Sequence, residues 1–198
     1  MTQDAYAHQF LNWMKARLDE IDATLTSIEK SAEALHSDAK KQAEQTIAEV
    51  RSQREAFEEA IGQRYHENEA AWAKAKTALE GNWASFEAAV QEYVKHARLS
   101  AREQAATFKT RAEAQRRAWE ETISALRKKA GGAPAETKRV LDAALSHLQS
   151  QADAAEAKLE ATQKAGAESW AAFKTALQES RVAFDKASQK ALDAFKEA

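Results

Sequence analysis

The sequence predicts an all-α protein of very long amphipathic helices packed as an extended antiparallel coiled-coil bundle. Three observations carry that expectation. Ala, Glu, Lys, Gln and Arg dominate, with one proline, five glycines and no cysteine in 198 residues, a composition of strong helix formers. Apolar residues recur every eleven positions at Ile28, Ala39, Val50, Ile61, Trp72, Trp83 and Val94, and a second track three residues on runs through Phe86, Ala97, Phe108, Trp119 and Ala130. Eleven residues close three turns at about 3.67 residues per turn, so such a stripe stays on one helix face. Hydrophobic residues make up 44% of the chain, yet much of that is alanine and the mean hydropathy is -0.67. That capacity suits narrow seams between helices, while recurrent bulky side chains (five Trp, seven Phe) argue against disorder.

The first element spans residues 3–130. Its early part is heptad-like, with Leu11, Met14, Leu18, Ile21, Leu25, Ile28, Ala32 and Leu35 spaced alternately by three and four, as in a coiled-coil seam. The pattern then relaxes into the eleven-residue track. Gly62 with Asn68, and Gly81 with Asn82, are weak points. An isolated glycine costs about 1 kcal/mol relative to alanine in a helix, which weakens a helix without ending it.

A turn is expected at 131–134. Arg127, Lys128 and Lys129 precede Gly131 and Gly132, and Pro134 is followed by Glu136. Basic residues in a last turn, glycine past the end and proline at the next start form a stop-and-restart signal. The second element, 134–197, carries a local repeat, AFKTALQESRV followed by AFDKASQKALD. Trp170, Phe173, Leu177, Phe184, Leu192 and Phe195 share an arc of roughly 100° on a helical wheel. Arg181 and Ser188 fall in the same arc and interrupt it.

Two arrangements fit. Continuity of the stripe through Ile61, Trp72 and Trp83 favours one helix over 3–130 with 134–197 folded back along it. Equal element lengths favour three helices of about 60 residues, turning near 62–68. Residues 1–60 hold 7 basic and 12 acidic side chains, net -5, and residues 95–130 hold 10 and 4, net +6. Such blocks suit packing of the first segment against the third quarter, within or between chains. The continuous helix would be about 190 Å long at 1.5 Å per residue and would leave 3–62 uncovered, so a homodimer or other homo-oligomer is expected with it. Either way, 1–198 reads as a single elongated helical coiled-coil domain.

Chemistry is sparse. No phosphate-cradling, dinucleotide-binding, zinc-protease or serine-nucleophile motif occurs, and the lack of cysteine removes disulfides and thiolate chemistry. Of the histidines His8, His36, His66, His96 and His147, the middle three are 30 residues apart, about 45 Å on a continuous helix. Glu33 and His36 form a lone E-x-x-H, whereas a di-iron bundle uses two such units plus two further glutamates. Solvent exposure is the expected state of His36. Carboxylate pairs such as Glu58-Glu59 and Glu120-Glu121 read as a solvated face, with helix support from Glu92–His96, Glu113–Arg117 and Glu136–Arg139. Arg98 to Lys129, with Arg102, Lys109, Arg111, Arg116, Arg117, Phe108 and Trp119, invites a nucleic-acid reading. Interleaved Glu103, Glu113, Glu120 and Glu121 and a pI near 6.3 favour a complementary helix face instead. No catalytic, cofactor-binding or metal residue is nominated, and no cofactor.

The eleven-residue units resemble the repeats of exchangeable apolipoproteins, and the cysteine-free, Ala-rich helical profile is similar to that of bacterial phasins, which coat polyester storage granules. The resemblance implies an amphipathic coat on a lipid or polymer-granule surface. From the residues themselves, the first expectation is a non-enzymatic, self-associating coiled-coil scaffold or assembly protein; a metal- or ligand-binding bundle is the third. The N-terminus lacks a secretory pattern and no apolar run is long enough to span a bilayer, so a cytoplasmic protein is expected.

Overall fold

A computed structural model describes residues 2–62, 69–165 and 170–197, with side chains described over 12–36, 38–59, 77–165 and 170–195. Among the described residues the chain forms six helices: α1 (Thr2–Ala32), α2 (Ser37–Gly62), α3 (Glu69–His96), α4 (Ala101–Ala130), α5 (Ala135–Lys164) and α6 (Trp170–Glu197). They are 26 to 31 residues long, and no strand occurs among the described residues.

The all-α expectation is met, but the very long helices are not formed. The expected 3–130 helix is divided into α1 to α4, and 134–197 into α5 and α6. The break at 33–36 uses tight backbone bonds: the Ala34 N–H donates to Ser31 O and the Leu35 N–H to Ala32 O. The break at 97–100 is a Schellman motif. The Leu99 N–H donates to Val94 O, the Arg98 N–H donates to Lys95 O, and Leu99 and Val94 are both buried, giving the apolar contact that accompanies this cap. Its left-handed residue is Arg98, at φ 49°. Glycine normally takes that position, so a search for glycine breakers passes over it. Ser100 then caps α4 in a reciprocal capping box with Glu103.

The turn at 131–134 is present. The Gly131 N–H donates to Arg127 O at 3.1 Å, the Ala133 N–H donates to Ala130 O at 3.2 Å, and Pro134 stands just before Ala135 with φ -56° and ψ 155°. Gly131 closes α4 in right-handed geometry, φ -61°, so the backbone does not draw on its left-handed freedom there. The suspected turn at 62–68 and His66 lie outside the described residues, as do the side chains of His8, Ile61 and Trp72; α2 ends at Gly62 and α3 begins at Glu69.

Contacts between helices fix their directions. Asp22 with Arg54 and Glu29 with Arg51 set α1 and α2 antiparallel. The Arg17 guanidinium lies over Trp83, and the Tyr93 hydroxyl donates to Ile28 O at 2.8 Å, so α3 runs parallel to α1. Lys15–Glu121 and Ser27–Thr107 set α4 against α1. Arg116–Glu156 and Arg127–Gln149 set α5 against α4, and the ring pairs Phe108–Phe173 and Trp119–Phe184 set α6 parallel to α4. Direction thus alternates along the chain, the arrangement that short connections dictate. Helices of about 30 residues make a bundle about 45 Å long.

The apolar stripe is real, but it is distributed. Ile28, Val50 and Val94 are buried, as is every member of the second track, yet they belong to different helices facing one interior. Each helix alone requires an apolar residue every three or four positions, so an eleven-residue phase can persist across breaks. Helices α2, α3, α4 and α6 all contact α1, so a second chain is not required to cover its stripe. The acidic first segment and the basic third quarter do pack together, in the same chain, through α1 and α4.

Candidate functional site

The interior of this bundle holds charge. Glu20 on α1, Glu87 on α3, Arg111 and Gln115 on α4 and Arg181 on α6 are all buried, among apolar core residues and buried polar ones such as Thr24 and Thr107. Glu20 follows Met14 and Arg17 and precedes Ile21 and Thr24 on the buried side of α1, and Arg111 follows Phe108 by one turn. The Glu20 Oε1 atom accepts from Arg111 Nε at 3.0 Å, Arg111 Nη2 at 2.6 Å and Arg181 Nη2 at 2.8 Å. Its Oε2 accepts from Gln115 Nε2 at 3.0 Å and Arg181 Nη2 at 3.1 Å. Arg111 also donates to both oxygens of Glu87, which lies 3.6 Å from Arg181 Nη2. A second ion pair adjoins the first: Arg17 Nη2 donates to Asp185 Oδ2 at 2.5 Å, and Trp13 Nε1 donates to the same oxygen at 3.2 Å.

Electrostatics ranks these groups. Burial alone would push the Glu20 carboxyl up, but the Arg181 and Arg111 guanidiniums and the Gln115 amide outweigh it, holding it below the ordinary carboxylate range. Burial disfavours the Arg111 cation too, and the flanking carboxylates of Glu87 and Glu20 reverse that, raising it above the ordinary arginine value. Arg181 is pushed the other way. Burial is the main cause, Glu20 only partly offsets it, and the nearby Arg17 and Arg111 cations add repulsion. Both arginines lie beside Glu20 and Glu87, so the difference is geometric: Arg111 hydrogen-bonds both carboxylates, while Arg181 bonds only Glu20, stands 3.6 Å from Glu87 and leaves its Nε without an acceptor. The ring faces help to hold the cations: Arg111 lies 5.3 Å from the Phe86 centroid and Arg181 lies 4.3 Å from that of Trp83, geometry that stabilises a buried guanidinium.

Between α1, α3 and α6 lies a cleft of about 410 Å³ whose walls include Trp13, Arg17, Trp83, Arg181 and Asp185. A saturated Glu20 cannot exchange protons near neutrality, and arginine does not serve as an acid there. The cluster can align four helices, and its edge holds a guanidinium N–H without an acceptor.

The sequence nominates none of these as site residues; Arg111 enters only among the basic residues of the nucleic-acid reading, and it is buried against Glu20 and Glu87. The visible signal in the sequence was Arg181, together with Ser188, inside the apolar arc of the last helix; both are buried. Glu20, Glu87 and Arg111 likewise sit beside seam residues, and a charge at a seam position is the sign that could have found them. Apart from Arg111 and Arg181, the residues the sequence singles out lie elsewhere. Glu33 and His36 fall in the break after α1, both exposed, so they are not on successive turns of a helix as an E-x-x-H ligand pair would be. His96 pairs with Glu92 at 3.0 Å on the surface, as expected. Glu113 approaches Lys109 at 3.8 Å rather than Arg117, and no Glu136–Arg139 pair occurs among the described residues. Glu58 accepts from Arg54, and Glu121 from Lys15. Phe108 and Trp119 are buried in ring stacks with Phe173 and Phe184, so neither ring is presented for base stacking. Among the described residues no three His, Asp or Glu side chains gather in a metal-holding group, and no helix is long and apolar enough to cross a membrane. Set against protein-family models, characterised proteins and solved structures, the chain matches none.

Proposed function

We propose that this chain is a non-enzymatic scaffold or assembly protein, a prefolded bundle that presents its outer helix faces to copies of itself or to other components. The observation that supports this most is the saturation of Glu20. The most deeply buried carboxylate among the described residues accepts hydrogen bonds from two arginines and a glutamine on two other helices, an arrangement suited to fixing register between helices rather than to moving protons. The seams beside it, with alternating three- and four-residue spacing on α1, suit coiled-coil packing. Light scattering with small-angle X-ray scattering tests the reading. A scaffold that self-associates shows a mass rising above 21.9 kDa with concentration, built from units about 45 Å long. A single 21.9 kDa species at every concentration removes self-association.

A second reading, the amphipathic coat implied by the resemblance to phasins and apolipoproteins, is favoured by α6. One face of that helix buries Trp170, Phe173, Leu177, Phe184 and Leu192, while Lys186 and Lys190 lie exposed on other faces, the division that lets a helix lie on an apolar surface. Co-sedimentation with vesicles and with polyester granules tests it; protein left in the supernatant with both removes the coat.

A further inference from the structure

Behind the wall of the cleft between α1, α3 and α6, two hydrogen-bond donors have no acceptor. Arg181 Nε and Trp83 Nε1 are both buried atoms without a partner, and both residues line the same cleft. The Arg181 guanidinium lies 4.3 Å from the Trp83 ring centroid, so the two N–H groups belong to one local patch on facing helices. A buried donor without an acceptor costs about 1–3 kcal/mol. Two in one place therefore favour any occupant that brings an acceptor.

The charges around the patch indicate which acceptor. Asp185 is engaged by Arg17 and Trp13, and Glu87 by Arg111. Lys174, also on the cleft wall, donates to the neutral amide of Gln91 at 3.2 Å, so its ammonium lacks a carboxylate. Glu80, the remaining acid on the wall, is exposed and therefore screened by water. A guanidinium N–H without an acceptor, an ammonium without a carboxylate and an indole N–H together favour an oxyanion. The indole rings of Trp13 and Trp83 and the side chain of Val182 on the same walls favour an apolar body behind it. A volume of about 410 Å³ lies within the usual range for small-molecule sites.

We propose that this cleft is a binding site for a small organic carboxylate, with the carboxylate accepting from Arg181 Nε and Trp83 Nε1 and the apolar body lying against the Trp13 and Trp83 rings. Both N–H groups are shielded from solvent in the empty bundle, so in this proposal Trp83 and Arg181 turn toward the cleft as the carboxylate enters. The site goes beyond the scaffold reading and does not depend on it.

The test is a titration of the full chain followed by the indole N–H signals in ¹⁵N-¹H spectra, with benzoate as probe and acetate, inorganic phosphate and benzylamine as comparisons. Saturable shifts of the Trp83 and Trp13 signals with benzoate are expected, with those of Trp119 and Trp170 stationary. Acetate should bind more weakly for want of a body, and benzylamine should not compete. Trp83→Phe, which keeps a ring and removes an unpaired N–H, should weaken benzoate several-fold while leaving the fold intact. Arg181→Lys, which removes Nε–H and keeps the charge, should weaken it roughly tenfold, the worth of a charge-assisted hydrogen bond. Absence of saturable shifts up to about 10 mM benzoate, tighter binding of phosphate than of benzoate, or unchanged affinity in Trp83→Phe would each overturn the proposal. Melting curves of both variants identify any loss of folding, and the wild-type titration stands without Arg181→Lys.

Discussion

Replacing Glu20 by glutamine removes one negative charge from the centre of the bundle and almost no volume. The glutamine keeps an acceptor toward Arg111, but its NH₂ group now faces donors, because Glu20 Oε2 accepts from Gln115 and Arg181 at 3.0 and 3.1 Å. Arg111 and Arg181 are left with Glu87 as their only direct carboxylate partner, so one buried cation becomes uncompensated. Removing one partner of a buried ion pair costs about 3–5 kcal/mol. For a chain of this size that lowers the melting temperature by roughly 6–20 °C, at about 2–4 °C per kcal/mol. Urea unfolding followed by far-UV circular dichroism reads the same loss as a lower midpoint at unchanged slope. Lys15→Met serves as the contrast, since its pair with Glu121 is exposed and worth at most about 1 kcal/mol. A Glu20→Gln loss no larger than that of Lys15→Met would show that the cluster is not tightly coupled, and the register argument would go with it. Replacing Glu20, Arg111 and Arg181 together by Leu or Met carries the opposite expectation. Stability is kept or rises, because no charge is left buried alone.

Acid should act through the same carboxylate. The folded-state pKa of Glu20 lies below its ordinary value of 4.5, so its contribution is complete above that value and is lost as pH falls through the folded pKa; urea midpoints flat above pH 5 and falling below 4.5 are expected, and a midpoint unchanged down to pH 3 would contradict this. Phe108 and Phe173 stack with centroids 4.5 Å apart, so Phe108→Ala should cost about 3–5 kcal/mol, with a coupling of about 0.5–1.5 kcal/mol to Phe173→Ala in a double-mutant cycle. Additive losses would mean that the stack itself contributes nothing. At the 97–100 break, Arg98→Gly should stabilise by about 1 kcal/mol by relieving the left-handed backbone, whereas Ser100→Ala should cost about 1 kcal/mol through loss of the α4 cap; equal signs for the two would refute the cap geometry.

The sequence was legible where local rules suffice. Composition and a period near 3.6 demand helices, and Arg127 to Pro134 spells a turn whose placement holds. Other boundaries were written in residues that a search for glycine and proline does not weigh. Ser100 and Glu103 form a capping box that is readable in sequence, but the preceding left-handed residue is an arginine, and the break at 33–36 contains no glycine. Phase continuity argued for one long helix because each short helix carries a compatible spacing of its own.

Local chemistry therefore determined that this chain is helical, which faces are apolar and where its strongest stop signal falls. It could not determine which faces meet. That Arg181, an apparent flaw in the last stripe, lies against Glu20 at a separation of 161 residues is decided only by tertiary packing. A charge on a seam is costly in isolation and tolerable beside its counter-charge, and whether the counter-charge is present depends on how six helices are arranged. The same holds for the cleft, whose donors come from α3 and α6 and acquire a shared purpose only when those helices stand side by side.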